Sequence, residues 1–387
     1  MKPASLVVLT AVVMGFAASP AAAQEAPAAS GAWDPEGAAR YLDERMDLWF
    51  ANADKLRTGE AQTACVSCHT TVPYVMARPA LRRAMQAGAA TPQETRLLQE
   101  TTRRVESYGA HQLLYEAGES KKVESRGTEA VLNALILASA HVAQDVALDR
   151  PAPAFGRLWE TQRPDGAWDW LDFGLEPFET VDARYYGATL AALAVGMAPR
   201  SPGSDAAAAT AGIERLRGYL QHHYASQRLF NRSWLLLAST YWKDLLTPAQ
   251  RQTLLADLQR RQRQDGGWAL EALGDWRWSK TEAPFRPPGA PDASLLANSD
   301  GYATGLIVYA LRRAGLPAAH PAISRGLQWL RANQHNVPGS QHTWPAWRAH
   351  SLNFDREQGG KKGEPWRRMF MSDSATAFAV LALVASE

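Results

Sequence analysis

The sequence predicts an all-α fold, and three observations carry that prediction. Apolar residues recur at helical spacing in segment after segment, with Pro- and Gly-containing loops between them. No stretch alternates with period two for long enough to make a convincing strand. A turn of fixed composition also repeats along the chain, each copy following a helical segment and leading into a loop.

The elements follow in chain order. Lys2 precedes an apolar run from Leu6 to Ala18, and Ala21-Ala22-Ala23 stands before Gln24. This is the pattern of an export leader with a small-residue cleavage site. The run is shorter than the ~20 apolar residues of a membrane span. Residues 1–23 are therefore expected to be a cleaved signal peptide, and the mature chain periplasmic with no stable membrane span. Residues 24–33, rich in Ala and Pro, read as a disordered lead-in. Helices are expected over 38–51, 74–86, 92–108 and 128–143, then over 183–197, 206–224, 233–242 and 248–262. Three more are expected over 302–314, 321–333 and 374–385. In the first of these, Tyr41, Met46, Trp49 and Phe50 stand among charges in an amphipathic pattern. Thr247-Pro248 and His320-Pro321 read as helix starts, because Pro costs nothing where the N–H has no helical partner.

Composition excludes some partners. The 387 residues carry a formal net charge of +2, and no basic run is interleaved with aromatics, which argues against nucleic acid. Trp, with 14 residues, calls for a role beyond an ordinary core.

Cys65-Val66-Ser67-Cys68-His69 holds both cysteines of the chain. C-x-x-C-H is the spacing that attaches a c-type haem. Two thiols on one turn can each add to a porphyrin vinyl group, and the next residue offers an imidazole to the iron. One covalent haem c is expected, with Cys65 and Cys68 as attachment points and His69 as the axial iron ligand. In bacteria this haem is attached after export, so leader and motif point to the same compartment. Two other chemistries use paired cysteines. A structural zinc site wants about four N/S ligands, and no His-x-x-x-His pair stands nearby to complete it. A thiol redox pair would leave His69 without a role. Candidates for the sixth iron ligand are Met76, Met85 and His111, each of which also reads as an ordinary core or helix residue. An axial Met raises the potential and favours electron transfer. An open sixth position would admit O₂, peroxide or a substrate.

The repeats organise the rest. Gln162-Arg-Pro-Asp165-Gly166-Ala-Trp168 recurs as Gln264-Asp265-Gly266-Gly267-Trp268, and a degenerate copy runs from Gln334 through Gly339 to Trp344. The loop after each copy ends in an Asp that opens a small-residue-rich helix: Asp182, Asp300 and Asp373. Asp at a helix start accepts backbone N–H bonds and suits the dipole. Partly desolvated, the same carboxyl could act as a general acid or base, so these three are the candidate catalytic residues. Trp168, Trp268 and Trp344 belong to the turns. Trp170, Trp234, Trp276, Trp278 and Trp347 are candidates for an aromatic cavity lining that suits an apolar or cationic ligand. His335, His342 and His350 fit no compact metal motif and read as loop residues.

Gln-x-x-Asp-Gly-x-Trp turns between paired helices resemble the QW motifs of squalene–hopene cyclases and related terpenoid cyclases. The resemblance runs from about Thr128 to the C-terminus. It implies an α/α toroid, in which inner helices line a central cavity and outer helices surround them. The chain departs from the family in its acids: neither a D-x-D-D nor a D-D-x-x-D string occurs. If the chain is an enzyme, a haem-dependent oxidoreductase is expected rather than a proton-initiated cyclase.

Residues 34–125 are then the haem segment, read as the first hairpins of the toroid with His69 near the register position of the three aspartates. A separate cytochrome domain is the other possibility. Residues 126–387 form the toroid proper. The expected function is redox or electron transfer by an exported haem protein. Its cavity would take an apolar, isoprenoid-like molecule, or its surface a redox partner protein. The alternatives are an electron-transfer cytochrome that uses the toroid as a docking scaffold, a redox-silent scaffold, and a non-haem carbohydrate-active or terpenoid-binding toroid.

Overall fold

The computed structural model describes residues 32–56, 63–110, 113, 115, 118–143, 151–198, 205–276, 292–338, 342–353 and 369–385. The expected leader, His111 and Trp278 lie outside them. The described residues are all-α except for one short hairpin. The helices are α1 Pro35–Leu56, α2 Thr71–Ala84, α3 Pro92–Glu106, α4 Glu119–Val142, α5 Ala152–Thr161, α6 Ala183–Met197 and α7 Ala206–His223. They continue as α8 Leu229–Ser239, α9 Pro248–Arg260, α10 Ala293–Leu296, α11 Gly301–Arg313, α12 Pro321–Ala332 and α13 Phe370–Val384. Among the described residues no helix is long and apolar enough to cross a membrane.

Local chemistry explains most starts. Thr91 and Glu94 form a reciprocal capping box at α3, as do Thr247 and Gln250 at α9. His320 Nδ1 accepts the Ala322 N–H at the start of α12. Helix α4 begins nine residues before the expected start at 128, because its first turns are polar and hide the helical period. Helix α5 was not expected at all: ten residues with Pro153 in the first turn are too few for a clear stripe. The hairpin pairs His335–Pro338 with Thr343–Ala346 antiparallel, and four-residue strands carry too little alternation to be read.

Six helices are buried over most of their surface: α2, α4, α6, α8, α11 and α13. Helix α2 packs on α4, α4 on α6, α6 on α8, α8 on α11, α11 on α13, and α13 on α2. The other long helices sit outside them. Helix α9, for example, buries only Leu254 and Leu258 and leans on α8. Between the six lie buried rings in edge-on or tilted contact. Trp234 stands 5.3 Å from Tyr186 and 5.2 Å from Phe378, and Phe178 stands 5.6 Å from Tyr186. Trp234 therefore fills the core instead of lining an open cavity.

The repeated turns are clasps. Gln162 Nε2 donates to the carbonyls of Gly166 and Gly212, both at 3.0 Å. Gln262 Nε2 donates to those of Gly266 and Ala322, both at 2.8 Å. Trp168 and Trp268 donate Nε1–H to Leu158 and Leu258 carbonyls at 2.9 and 2.8 Å. Gln262, not Gln264, is therefore the counterpart of Gln162. Gly166 takes φ +97°, and the Arg215 backbone stands where a Cβ would go, so glycine is required twice over. In the third copy, Gln334 Nε2 donates to Pro345 O at 3.2 Å and Trp347 Nε1 to Leu330 O at 2.8 Å. The turn tryptophan is Trp347, not Trp344. The hairpin is an insertion that displaced the spacing, and Trp344 on it donates to Glu44 instead. Each Gln also reaches toward the next outer helix: Gly212 on α7, Ala322 on α12, and Asp34 at the start of α1 (2.8 Å). The last turn thus holds the first helix.

Candidate functional site

The Cys-His motif sits in a braced turn that leads into α2. Ala64 N–H donates to Glu100 at 3.0 Å. Arg104 donates to Thr63 Oγ1 at 2.9 Å and forms a buried ion pair with Glu129. Trp49 Nε1–H donates to the Cys65 carbonyl at 2.8 Å. Ser67 closes the turn: its Oγ accepts the N–H groups of Thr70 and Thr71, both at 3.2 Å, and its carbonyl accepts Val72 N–H at 3.1 Å. These bonds satisfy the N–H groups that a helix start leaves without intrahelical partners. They also fix Cys68 and His69 just before the first turn.

Both cysteines are buried and neither is in a disulfide. Burial pushes the Cys68 thiol well above its ordinary range, and the nearby Glu179 carboxylate adds to this. A raised thiol is a poor thiolate donor, which argues against a redox pair. Among the described residues, no group of three or more His, Cys, Asp and Glu gathers to hold a metal ion.

His69 is oriented by a chain of three side chains. Arg45 and Asp373 form a buried ion pair, Nε to Oδ1 at 2.7 Å, and Tyr41 OH donates to the same oxygen at 3.0 Å. Burial works against the Arg45 charge, but Asp373 outweighs it and the guanidinium pKa is raised. Thr70 Oγ1–H donates to Asp373 Oδ2 at 2.8 Å. The Thr70 hydroxyl has then spent its proton, so its oxygen can only accept from His69 Nδ1, 3.0 Å away. The tautomer follows: Nδ1 carries the hydrogen and Nε2 the lone pair. Ser374 Oγ–H donates to the His69 carbonyl at 2.8 Å, so α13 grips both ends of the residue.

The three aspartates singled out from the sequence do not share a setting. Asp373 is not a helix cap. It lies inside the first turn of α13, its backbone N–H bonded to Met369 O, with its carboxylate turned to Arg45, Tyr41 and Thr70. Asp300 does cap α11, accepting Ala303 N–H at 2.8 Å and also Leu270 N–H at 2.6 Å. Burial pushes its carboxyl up to about 6, against the pull of those backbone bonds. Asp182 precedes α6 without capping it, is exposed, and pairs with Arg228 at 2.9 Å. Open to water, it lacks the desolvation that a general acid needs.

Cys68 and His69 line a cavity of about 70 Å³ whose walls include Trp49, Leu132, Trp170 and Phe370. Ser67, Thr128, Tyr115 and Glu179 are the polar residues in its lining besides His69. Met76 lines a different cavity, with Ala80 and Arg83, about two helical turns further along α2, and Met85 caps the far end of that helix. Neither reaches the cavity beside His69. The loop histidines stay apart from it as well: His342 stands 3.5 Å from Glu44 beside the hairpin.

A haem can be tested against these residues. The donor set fits, with two thiols, an imidazole whose lone pair is on Nε2, and aromatic walls. The closed space does not hold a porphyrin as it stands: about 70 Å³ is room for two or three waters. Small-molecule pockets run to ~300–1,000 Å³. Phe370, at the start of α13, fills one side of this space, its ring centroid 4.7 Å from that of His69.

Sequence reasoning missed Arg45, Thr70 and Glu179. Arg45 had a signal, since it interrupts the apolar stripe Tyr41–Met46–Trp49 and so announces a buried charge that needs a partner. Thr70 and Glu179 had none. No protein-family model matches this chain, and no curated protein matches it.

Proposed function

We propose that this chain is a c-type haem protein built on an α/α toroid, with Cys65 and Cys68 holding the group and His69 as its protein ligand. The observation that carries this reading is the Arg45–Asp373–Thr70 chain, which puts the His69 hydrogen on Nδ1 beside two buried thiols. An orienting hydrogen bond to the remote nitrogen is what an iron-ligating imidazole needs. The toroid reading rests on the order of helix neighbours that returns to α2, and on the Gln334 clasp to the start of α1.

Bound haem supplies a one-electron centre. The chain's own residues divide the remaining work. Thr70 holds the imidazole plane and its Nδ1 hydrogen. Asp373 keeps the Thr70 hydroxyl proton pointed away from His69, and Arg45 holds the Asp373 carboxylate in place through the buried ion pair. Trp49, Trp170 and Phe370 supply aromatic walls beside Cys68. No Met and no second His lines that space among the described residues, which favours a centre without thioether ligation and a potential below that of Met-ligated haem.

Expression with a periplasmic haem-attachment system, followed by denaturation and a pyridine haemochrome spectrum, tests the proposal. One haem per chain should remain bound after denaturation, and be lost in the Cys65→Ala/Cys68→Ala variant. A haem-free chain that is otherwise folded would sink the reading. Met76→Leu and Met85→Leu should leave the visible spectrum unchanged.

A further inference from the structure

A second cavity, of about 410 Å³, lies between α2, α4, α6, α11 and α13, with Tyr241, two residues past the end of α8, also in its lining. We propose that it binds a single-chain amphiphile with an anionic head, of the fatty-carboxylate class. Apolar side chains form part of the walls, Val75 and Met76 from α2, Met197 from α6, Leu381 and Val384 from α13, and Ser139, Tyr241 and Tyr309 add polar groups. Methionine side chains adapt to a flexible chain. The rim carries two cations, Arg83 and Arg313, both exposed. Among the described residues neither has a carboxylate partner. Arg83 only reaches the Ala143 carbonyl, at 3.4 Å, and Arg313 lies over the Tyr241 ring at 4.4 Å.

The head group follows from these cations. Helix C-termini bring partial negative charge to this mouth, and the guanidinium groups offset it. A guanidinium fork matches a carboxylate in geometry and charge, whereas a cationic head would meet two like charges. The deeper polar group is Tyr309, buried, with its hydroxyl 3.4 Å from that of Tyr241. Burial pushes the Tyr309 phenol well above its usual range, so this hydroxyl offers a hydrogen bond without repelling an anion. The volume lies within that of small-molecule sites. The site shares no residue with the cavity beside His69, so it stands or falls independently of the haem.

Calorimetric titration of the purified full chain with laurate tests the proposal, with dodecanol and acetate as the neutral-headed and tailless controls. Laurate should bind saturably at one site per chain, and each control at least tenfold more weakly. The Arg83→Ala/Arg313→Ala variant removes two exposed side chains and should fold. It should weaken laurate at least tenfold and leave dodecanol unchanged. Val384→Glu places a carboxylate in the pocket and should abolish laurate binding while the helical circular dichroism persists. Equal laurate affinity in the double variant, equal affinity for dodecanol, or no saturable binding by the folded wild-type chain would overturn the assignment.

Discussion

Beside Cys68 and His69 the turn before α2, together with α1, α4 and the start of α13, encloses about 70 Å³, whereas further along the bundle α2, α4, α6, α11 and α13 surround about 410 Å³. The first end is packed with rings, and its charges are paired: Arg45 with Asp373, Arg104 with Glu129. The second mixes small and aliphatic residues such as Ala80, Ala84, Ala143 and Leu381 with the Tyr241–Tyr309 pair, and its rim cations lack carboxylates among the described residues. Side-chain size separates the two. Trp49, Trp170 and Phe370 crowd the first cavity, where Ala80, Ala84 and Ser139 leave room in the second. One end is built to hold an imidazole in a single orientation, the other to leave room.

The largest expected effect lies at the closed end. Asp373→Ala would strand the Arg45 charge in a buried site, which costs about 3–5 kcal/mol. Urea unfolding should show that loss, while removal of a rim cation at the open end should change stability by no more than about 0.5 kcal/mol. Similar losses at the two ends would break the comparison.

Trp347→Phe should come next. It strands the Leu330 carbonyl and should cost about 1–3 kcal/mol, against less than about 1 for Trp344→Phe on the hairpin. The reverse order in thermal melts would restore the register read from sequence spacing.

Thr70→Val should cost about 1–3 kcal/mol by the same argument, and should also release the His69 tautomer. Nitrogen NMR of the haem-free protein should show a single Nδ1–H form in the wild type and a mixture in the variant. A mixture in both would remove the orienting role of Asp373.

The smallest effect concerns Asp300. Its folded carboxyl titrates at about 6 and an unfolded Asp near ~3.9, so the folded state binds more protons between those values. Its contribution to stability is present below that window and is lost as pH rises through about 6. The melting temperature of the wild type minus that of Asp300→Asn should therefore be larger near ~pH 4.5 than near ~pH 7. An equal gap at both would show that the carboxyl titrates normally.

Much of the fold was legible because it is locally encoded. Helices α9, α11 and α12 start where the Thr247-Pro248, Asp300 and His320-Pro321 signals stand, since a cap acts within one turn of its own sequence. Two of the three clasps were found from Asp-Gly and Trp at short spacing, the second with Gln264 read in place of Gln262. The third was misread, because a hairpin insertion moved Trp347 away from Gln334 and left Trp344 at the more familiar distance.

The sequence by itself determined the all-α class, the turn chemistry and the placing of both thiols beside one histidine, because each depends on residues within a turn or two of one another. Only the tertiary structure decided what those residues meet. Asp373 became the partner of Arg45 and Thr70, more than 300 positions away, instead of a helix cap. The aromatics filled the core instead of lining it, and Met76 turned toward the other cavity. A carboxylate buried against a guanidinium is stable only where the two chain segments are packed together, and nothing in either segment alone records that meeting.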